Sequence, residues 1–172
     1  MHGDDFLQVT LPAMDMVHNL ARRLLKDEHA AEDLVQETYL AAYAAWIKRR
    51  RPDRVEAWMA TICLNLARSQ FRRLKHRPVE VIHPEPGTTA SSASDTADEA
   101  LTLLERNAVR RAVWKLPDEQ RIAITLVDLA GLTAAEAAKA MGTPRGTVLS
   151  RVHRGRKALA SLVREEVEIR EP

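Results

Sequence analysis

Two caps bracket eight residues, Ala134 to Met141, and they constrain this chain more than any other feature in it. Thr133 precedes the segment and Glu136 stands three residues further on, the spacing of a capping box. In that motif the hydroxyl and the carboxylate each satisfy a backbone N–H that the first helical turn leaves open. Gly142 follows Met141 and breaks the helix there. Thr143 is then expected to cap a further helix, with Pro144 at its first position, where a missing N–H costs nothing. Upstream, Leu116-Pro117-Asp118 opens a short helix carrying Ile122, Ile124 and Leu126, and Gly131 ends it. Short helices joined by such tight turns predict a helix-turn-helix between about Leu116 and Val163.

The last of these helices is read as two-faced. Val148, Val152, Leu159 and Val163 lie on the side expected to face inward. Arg145, Thr147, Ser150, Arg151 and Arg154 are expected to project from its N-terminal half. A helix-turn-helix places those positions against base edges and phosphates in the major groove. Arginine can grip guanine bidentately, and Thr or Ser can bond a base or a phosphate. The pattern therefore points to DNA, without separating a repressor, an activator or a polymerase subunit.

The net charge of +2 hides a segregated distribution. Ile47 to Arg77 holds ten Lys or Arg against two acids, and Arg145 to Arg164 holds six basic residues and no acid. Asp27 to Glu37 holds five acids and Val79 to Glu105 six, neither with any Lys or Arg. Segregation of this kind suits surfaces with different partners, the basic ones able to neutralise phosphates.

Ahead of the basic stretch, Val17, Leu20, Ala21, Leu24 and Leu25 follow a helical period. Asp27 is placed to cap a second helix with Leu34, Val35, Ala42 and Trp46 inward. Arg51-Pro52-Asp53 reads as a turn, and a third helix runs from about Val55 to Lys75 with Val55, Trp58, Met59, Ile62 and Leu66 on its apolar side. Trp46 and Trp58 both fit apolar faces and read as core. From Pro78 to Asp98 the period vanishes among Pro, Gly, Ser, Thr and acids, so this segment reads as a flexible linker. Helical spacing resumes at Glu99 with Leu101, Leu104, Ala108 and Ala112. The expected fold is all-α: two small helical domains, 1–77 and 99–172, joined by a flexible acidic linker over 78–98.

One cysteine, Cys63 on an apolar helix face, excludes an internal disulfide framework and a multi-cysteine zinc site. No secretion signal and no long apolar run is present, which predicts a soluble cytoplasmic protein without membrane insertion. Paired carboxylates, histidine clusters and glycine-rich phosphate loops are lacking, so neither an enzyme nor a resident cofactor or metal is expected.

The chain resembles the extracytoplasmic-function sigma factors of the sigma-70 family. Asp33-Leu34-Val35-Gln36-Glu37-Thr38, the run through Trp46, Ala57-Trp58 and Asn65-Leu66-Ala67 are similar to their region 2. Leu116-Pro117, Thr133 to Glu136, and Gly146 through Arg156 are similar to their region 4. The resemblance implies a non-enzymatic subunit that binds core RNA polymerase, through the β′ clamp helices and the β subunit, and reads promoter DNA. It implies that Glu32, Asp33, Gln36 and Glu37 offer the polymerase-binding face. It implies −10 element contacts from the loop after Trp46, including Arg50 and Arg51, and from Asn65, Arg68, Ser69, Arg72 and Arg73 on the third helix. It implies −35 contacts from Arg145, Thr147, Ser150, Arg151 and Arg154, and an anti-sigma factor as a regulatory partner. The chain departs from the family in carrying Ser69 where an Asp is common four residues after the Asn, and in a short, arginine-rich loop. A stand-alone helix-turn-helix regulator is the alternative, although it leaves the second basic segment without a role.

Overall fold

The computed structural model describes residues 2–48, 51–75 and 108–168, and every regular element among them is helical. The chain order is α1 (His2–Thr10), a 3-10 turn (Leu11–Ala13), α2 (Met14–Leu24), α3 (Glu28–Trp46) and α4 (Val55–Lys75). After the segment outside the described residues come α5 (residues 108–115), α6 (Asp118–Ile124), a π-helical turn (Thr125–Leu129), α7 (Ala134–Met141) and α8 (Arg145–Glu168).

The first four helices form one cluster. Val17, Leu20, Ala21 and Leu24 are all buried on α2, as their spacing predicts. The Asp27 side chain accepts a 2.7 Å hydrogen bond from the Ala30 amide, which closes the start of α3. Leu34, Ala42 and Trp46 then face the core, with Val35 half-buried beside them. Thr10 and Thr38 are buried too, and each hydroxyl donates to the carbonyl four residues earlier, Phe6 at 2.8 Å and Leu34 at 2.7 Å. No periodic signal announces α1. It is held by tertiary contacts: the Phe6 ring meets Tyr39, Tyr43 and Trp46 edge-on, with centroids 6.4, 5.3 and 5.7 Å apart.

The expected apolar stripe of α4 is only partly the buried one. Met59 is fully buried, but Val55, Trp58, Ile62 and Leu66 are half-buried, while Ala60, Cys63, Leu64 and Ala67 are inside. The reason is that α4 is packed on two sides, by α2 and α3 on one and by α7 on the other. Cys63 is buried beside Thr38 of α3, and burial pushes its thiol up to about 12, so it is an inert core residue.

The second cluster buries Ala108, Ala112, Val113 and Leu116 with Ala123, Ile124, Leu126, Val148 and Val152. Gly155 lies where α8 crosses α6; a Cβ there would sit 2.6 Å from Ile124 Cδ1. The two clusters are not separate bodies. The α7 helix packs on α4, α6 and the π turn pack on α2, and a single apolar core runs from Phe6 to Val152. The linker over 78–98, together with Leu101 and Leu104, lies outside the described residues.

Leu34→Ala should cost about 2–5 kcal/mol of stability, because the side chain is fully enclosed and its neighbours close the cavity only in part. Urea denaturation followed by circular dichroism measures the loss.

Candidate nucleic-acid and polymerase interface

Three surfaces carry the residues that the sequence singles out. On α3, Glu32, Asp33, Gln36 and Glu37 are all exposed, because Ala31, Leu34 and Thr38 take the opposite side of the same turns into the core. Glu37 accepts a 3.3 Å hydrogen bond from Gln70 of α4. Leu40, 71% exposed, continues the acidic face, and with Glu37, Leu66, Ser69 and Gln70 it lines a shallow groove between α3 and α4. An acidic rim beside exposed leucine suits a basic, partly apolar partner.

The second surface is the loop after Trp46 with the outer side of α4. Arg51 is held on both sides: its Nη2 lies 2.6 Å from Asp5, and its guanidinium stacks 4.7 Å from the Trp46 ring. Asn65 and Arg72 are exposed at positions two helical turns apart, and Ser69 is half-buried beside the groove. Arg68, between Asn65 and Arg72, is not free. Its two terminal nitrogens donate to the carbonyls of Ala140 and Met141, each at 3.0 Å, on the last turn of α7. Arg50 lies outside the described residues, as does the side chain of Arg73.

The third surface is the helix-turn-helix. Its capping box forms as the spacing predicts: Glu136 N donates to the Thr133 hydroxyl at 3.2 Å, and Thr133 N donates to the Glu136 carboxylate at 2.7 Å. The Thr133 backbone bond is the main cause that holds the Glu136 carboxyl below its ordinary range, with the Thr133 hydroxyl and Arg54 adding to it. Gly131 and Gly142 adopt φ of +64° and +65°, so both turns use the left-handed geometry that only glycine takes without strain.

The start of α8 differs from expectation. The Pro144 carbonyl accepts from the amides of Thr147 and Val148, at 3.0 and 3.2 Å, so Pro144 is itself the cap position and Arg145 the first helical residue. The Thr143 hydroxyl is buried without a hydrogen-bond partner, and its amide instead donates to Ala138 at 3.0 Å. The tight exit from α7 therefore takes Thr143 away from the capping geometry.

Along α8, Arg145, Ser150 and Arg154 are exposed and Thr147 is half-buried, with the Ser150 hydroxyl donating to the Thr147 carbonyl at 2.9 Å. Arg151 does not project outward. Its side chain is 19% exposed and lies 2.8 Å from the Glu119 carboxylate on α6. Two residues beyond Arg154, Arg156 turns back to Asp128 in a bidentate pair, with Nε at 3.0 Å.

Three further residues matter here, and only the first carries a mark in the sequence. Arg54 reaches across from the loop to Glu136, with Nη1 2.8 Å from the carboxylate, and to the Gly131 carbonyl at 3.2 Å. Glu119 is one acid among many until α6 brings it to Arg151. Arg121 is 7% exposed and is fully engaged: it donates to the Arg23 carbonyl, pairs with Asp118 at 2.7 Å and stacks on Trp114. Arg54 could have been found by the arginine richness of its loop; the other two could not.

A capped helix-turn-helix packed on an acidic and basic helical cluster defines a helix-turn-helix protein of two-part design. Comparison with known proteins makes the class specific. Residues 13–77 match the model for sigma-70 region 2, and residues 106–159 match that for sigma-70, region 4. The chain is 30% identical to the ECF RNA polymerase sigma factor SigW of Bacillus subtilis, over 94% of this chain and 90% of that protein. It is 33% identical to SigE of Mycolicibacterium smegmatis over 84% of this chain, but spans only 56% of that longer relative. The structure of the sigma factor RpoE bound to the anti-sigma factor NepR, from Bartonella quintana, aligns with a TM-score of 0.70 at 28% identity, covering 93% of this chain and 97% of that one.

The chain belongs to the extracytoplasmic-function sigma factors of the sigma-70 family. Its function is that of a sigma factor, which directs RNA polymerase in promoter recognition. Among the described residues, no helix is long and apolar enough to cross a membrane.

Replacing the capping hydroxyl by Thr133→Ala should cost about 1 kcal/mol in thermal or urea unfolding. A carboxyl held below its ordinary range stabilises the fold above its unfolded value, about 4.3, and that stability is lost as pH falls through the lower folded value. The difference in melting temperature between the unmodified chain and Glu136→Gln should therefore be present at about pH 7 and vanish at strongly acidic pH.

Proposed function

We propose that the three surfaces divide the sigma factor's work. The exposed face of Glu32, Asp33, Gln36 and Glu37 binds core polymerase. The basic side of the first cluster, with Arg50, Arg51, Asn65, Arg68, Ser69, Arg72 and Arg73, contacts the −10 element. The N-terminal half of α8, with Arg145, Thr147, Ser150, Arg151 and Arg154, reads the −35 element as duplex. Residues 1–77 and 99–172 then act as two recognition domains, and 78–98 as the tether that lets them span separated sites.

The observation that carries this reading is the separation of charge on a defined scaffold. Four acidic or amide side chains share one exposed face of α3, while the basic residues stand on α4 and α8. Carboxylates facing outward repel DNA phosphates and attract a basic protein surface. On α8, Arg145 and Arg154 are the exposed arginines of the reading half, so base contact falls first to them. Arg151, held by Glu119, contributes through the orientation of α8 on α6 or after exchanging partners at the groove. The similarity to a sigma factor held by an anti-sigma factor supports a cytoplasmic anti-sigma partner here as well.

In vitro transcription with core polymerase on a promoter library tests the whole reading, and tight, specific footprinting by the chain alone would favour a stand-alone regulator. Arg154→Ala should weaken −35 binding about 5- to 150-fold, the value of one base contact, and leave polymerase binding intact. Reversing charge with Asp33→Lys and Glu37→Lys should do the opposite; pull-down with core polymerase and anisotropy on −35 duplex separate the two effects.

A further inference from the structure

The contact between the two clusters includes Arg68, which the reading above places on the −10 element, and Arg54 of the adjoining basic loop. α7 is clamped at both ends by arginines from the first cluster. At its N-terminus Arg54 takes both carboxylate oxygens of Glu136, at 3.1 and 2.8 Å, and the Gly131 carbonyl at 3.2 Å. At its C-terminus the carbonyls of Ala138 and Lys139 are taken by the amides of Thr143 and Gly142. The next two, Ala140 and Met141, point beyond the helix end, and Arg68 bonds both in a fork. A guanidinium there also meets the negative end of the helix dipole.

Further along the contact, Arg121 of α6 donates to the Arg23 carbonyl at 3.1 Å, and Lys26 lies 5.6 Å over Trp114. The contact thus combines an apolar centre with cations placed on carbonyls, a carboxylate and a ring. Lining up Arg54 and Arg68 on one short helix has a direct consequence. Neither guanidinium can bond α7 and a phosphate with the same N–H groups at once.

We infer that Arg54 and Arg68 form a latch that holds the helix-turn-helix against the first cluster, and that single-stranded nucleic acid and α7 compete for these two side chains. In the closed form Asn65 and Arg72 stay exposed while Arg68, between them, is occupied, so the basic side of α4 is only partly available. The α8 reading positions Arg145 and Arg154 remain exposed in the same arrangement. Closure therefore holds back the single-strand surface and leaves the duplex-reading surface open. The competition rests on the −10 reading proposed above; the latch itself does not.

Energy transfer within the full chain tests both, with dyes on Ala44→Cys and Lys157→Cys, two exposed positions on opposite clusters, and the buried Cys63 left in place. Adding Arg54→Ala and Arg68→Ala should lower the closed-to-open ratio at least about tenfold, with helical content retained by circular dichroism. An unchanged ratio overturns the latch. If the double variant does not fold, a salt titration of the otherwise unmodified labelled chain decides. Raising sodium chloride from about 0.05 to about 0.5 M should open a charge-based latch, whereas closure that persists or tightens assigns the contact to its apolar centre and overturns the proposal. A twelve-nucleotide oligo-dT should shift the same labelled chain toward the open form. Binding by anisotropy without a change in transfer refutes the competition. No binding at all refutes the −10 reading and the competition with it, while the double variant still decides the latch.

Discussion

An eight-residue helix does not hold itself together in water. Nucleation costs more than two turns of hydrogen bonds return, so α7 depends on what seals its ends and what covers its apolar side. Thr133 and Glu136 seal the start, Gly142 turns the end, and Ala137, Ala138, Ala140 and Met141 are buried. The rest of the recognition module follows from that small element. The α8 helix leaves it through the Gly142 turn, and its inward valines pack where α6 and α7 leave room. The angle of α8 is fixed by α6 and α7 together, through the Gly155 crossing and the Arg151–Glu119 pair on one side and the Gly142 turn on the other.

The same helix joins the two halves of the molecule. Alanine-rich on one side, it comes close enough to α4 for Arg68 to reach its terminal carbonyls. The capping carboxylate therefore serves two purposes, closing the first turn and receiving Arg54. Elements chosen for local stability become the docking points for a neighbouring domain. That economy also sets a conflict, since the cations that complete this contact come from the loop and helix proposed above to contact promoter DNA. On the proposed reading the two DNA-contacting parts have to separate to span a promoter, which would break the Arg54–Glu136 pair, the Arg68 bonds and the apolar core shared by the two clusters.

Much of this was legible beforehand, because local rules act over a few residues. The capping box, the left-handed Gly131, the break at Gly142, the Asp27 cap and the burial of Leu20, Leu34 and Val148 all follow from residue type and spacing alone. The start of α8 was misread because two signals overlap there: Thr143 is a good cap by type, but the exit from α7 already uses its backbone. The α1 helix carries no local signal because its hold on the fold is one aromatic, Phe6, whose partners lie on α3. Arg151 had the right spacing for the outer face, yet Glu119 on another helix draws it in.

The sequence by itself determined the helices from α2 onward, most of their ends, the segregation of acid from base and, through its motifs, the family. These are matters of period, cap chemistry and residue order, and they need no neighbour more distant than a turn or two. Only the tertiary structure decided which arginines are free. Arg154 and Arg72 remain exposed, Arg151 answers to Glu119, and Arg54 and Arg68 close on α7, because the partner of a long cationic side chain is set by whichever carboxylate or carbonyl the fold brings within its reach.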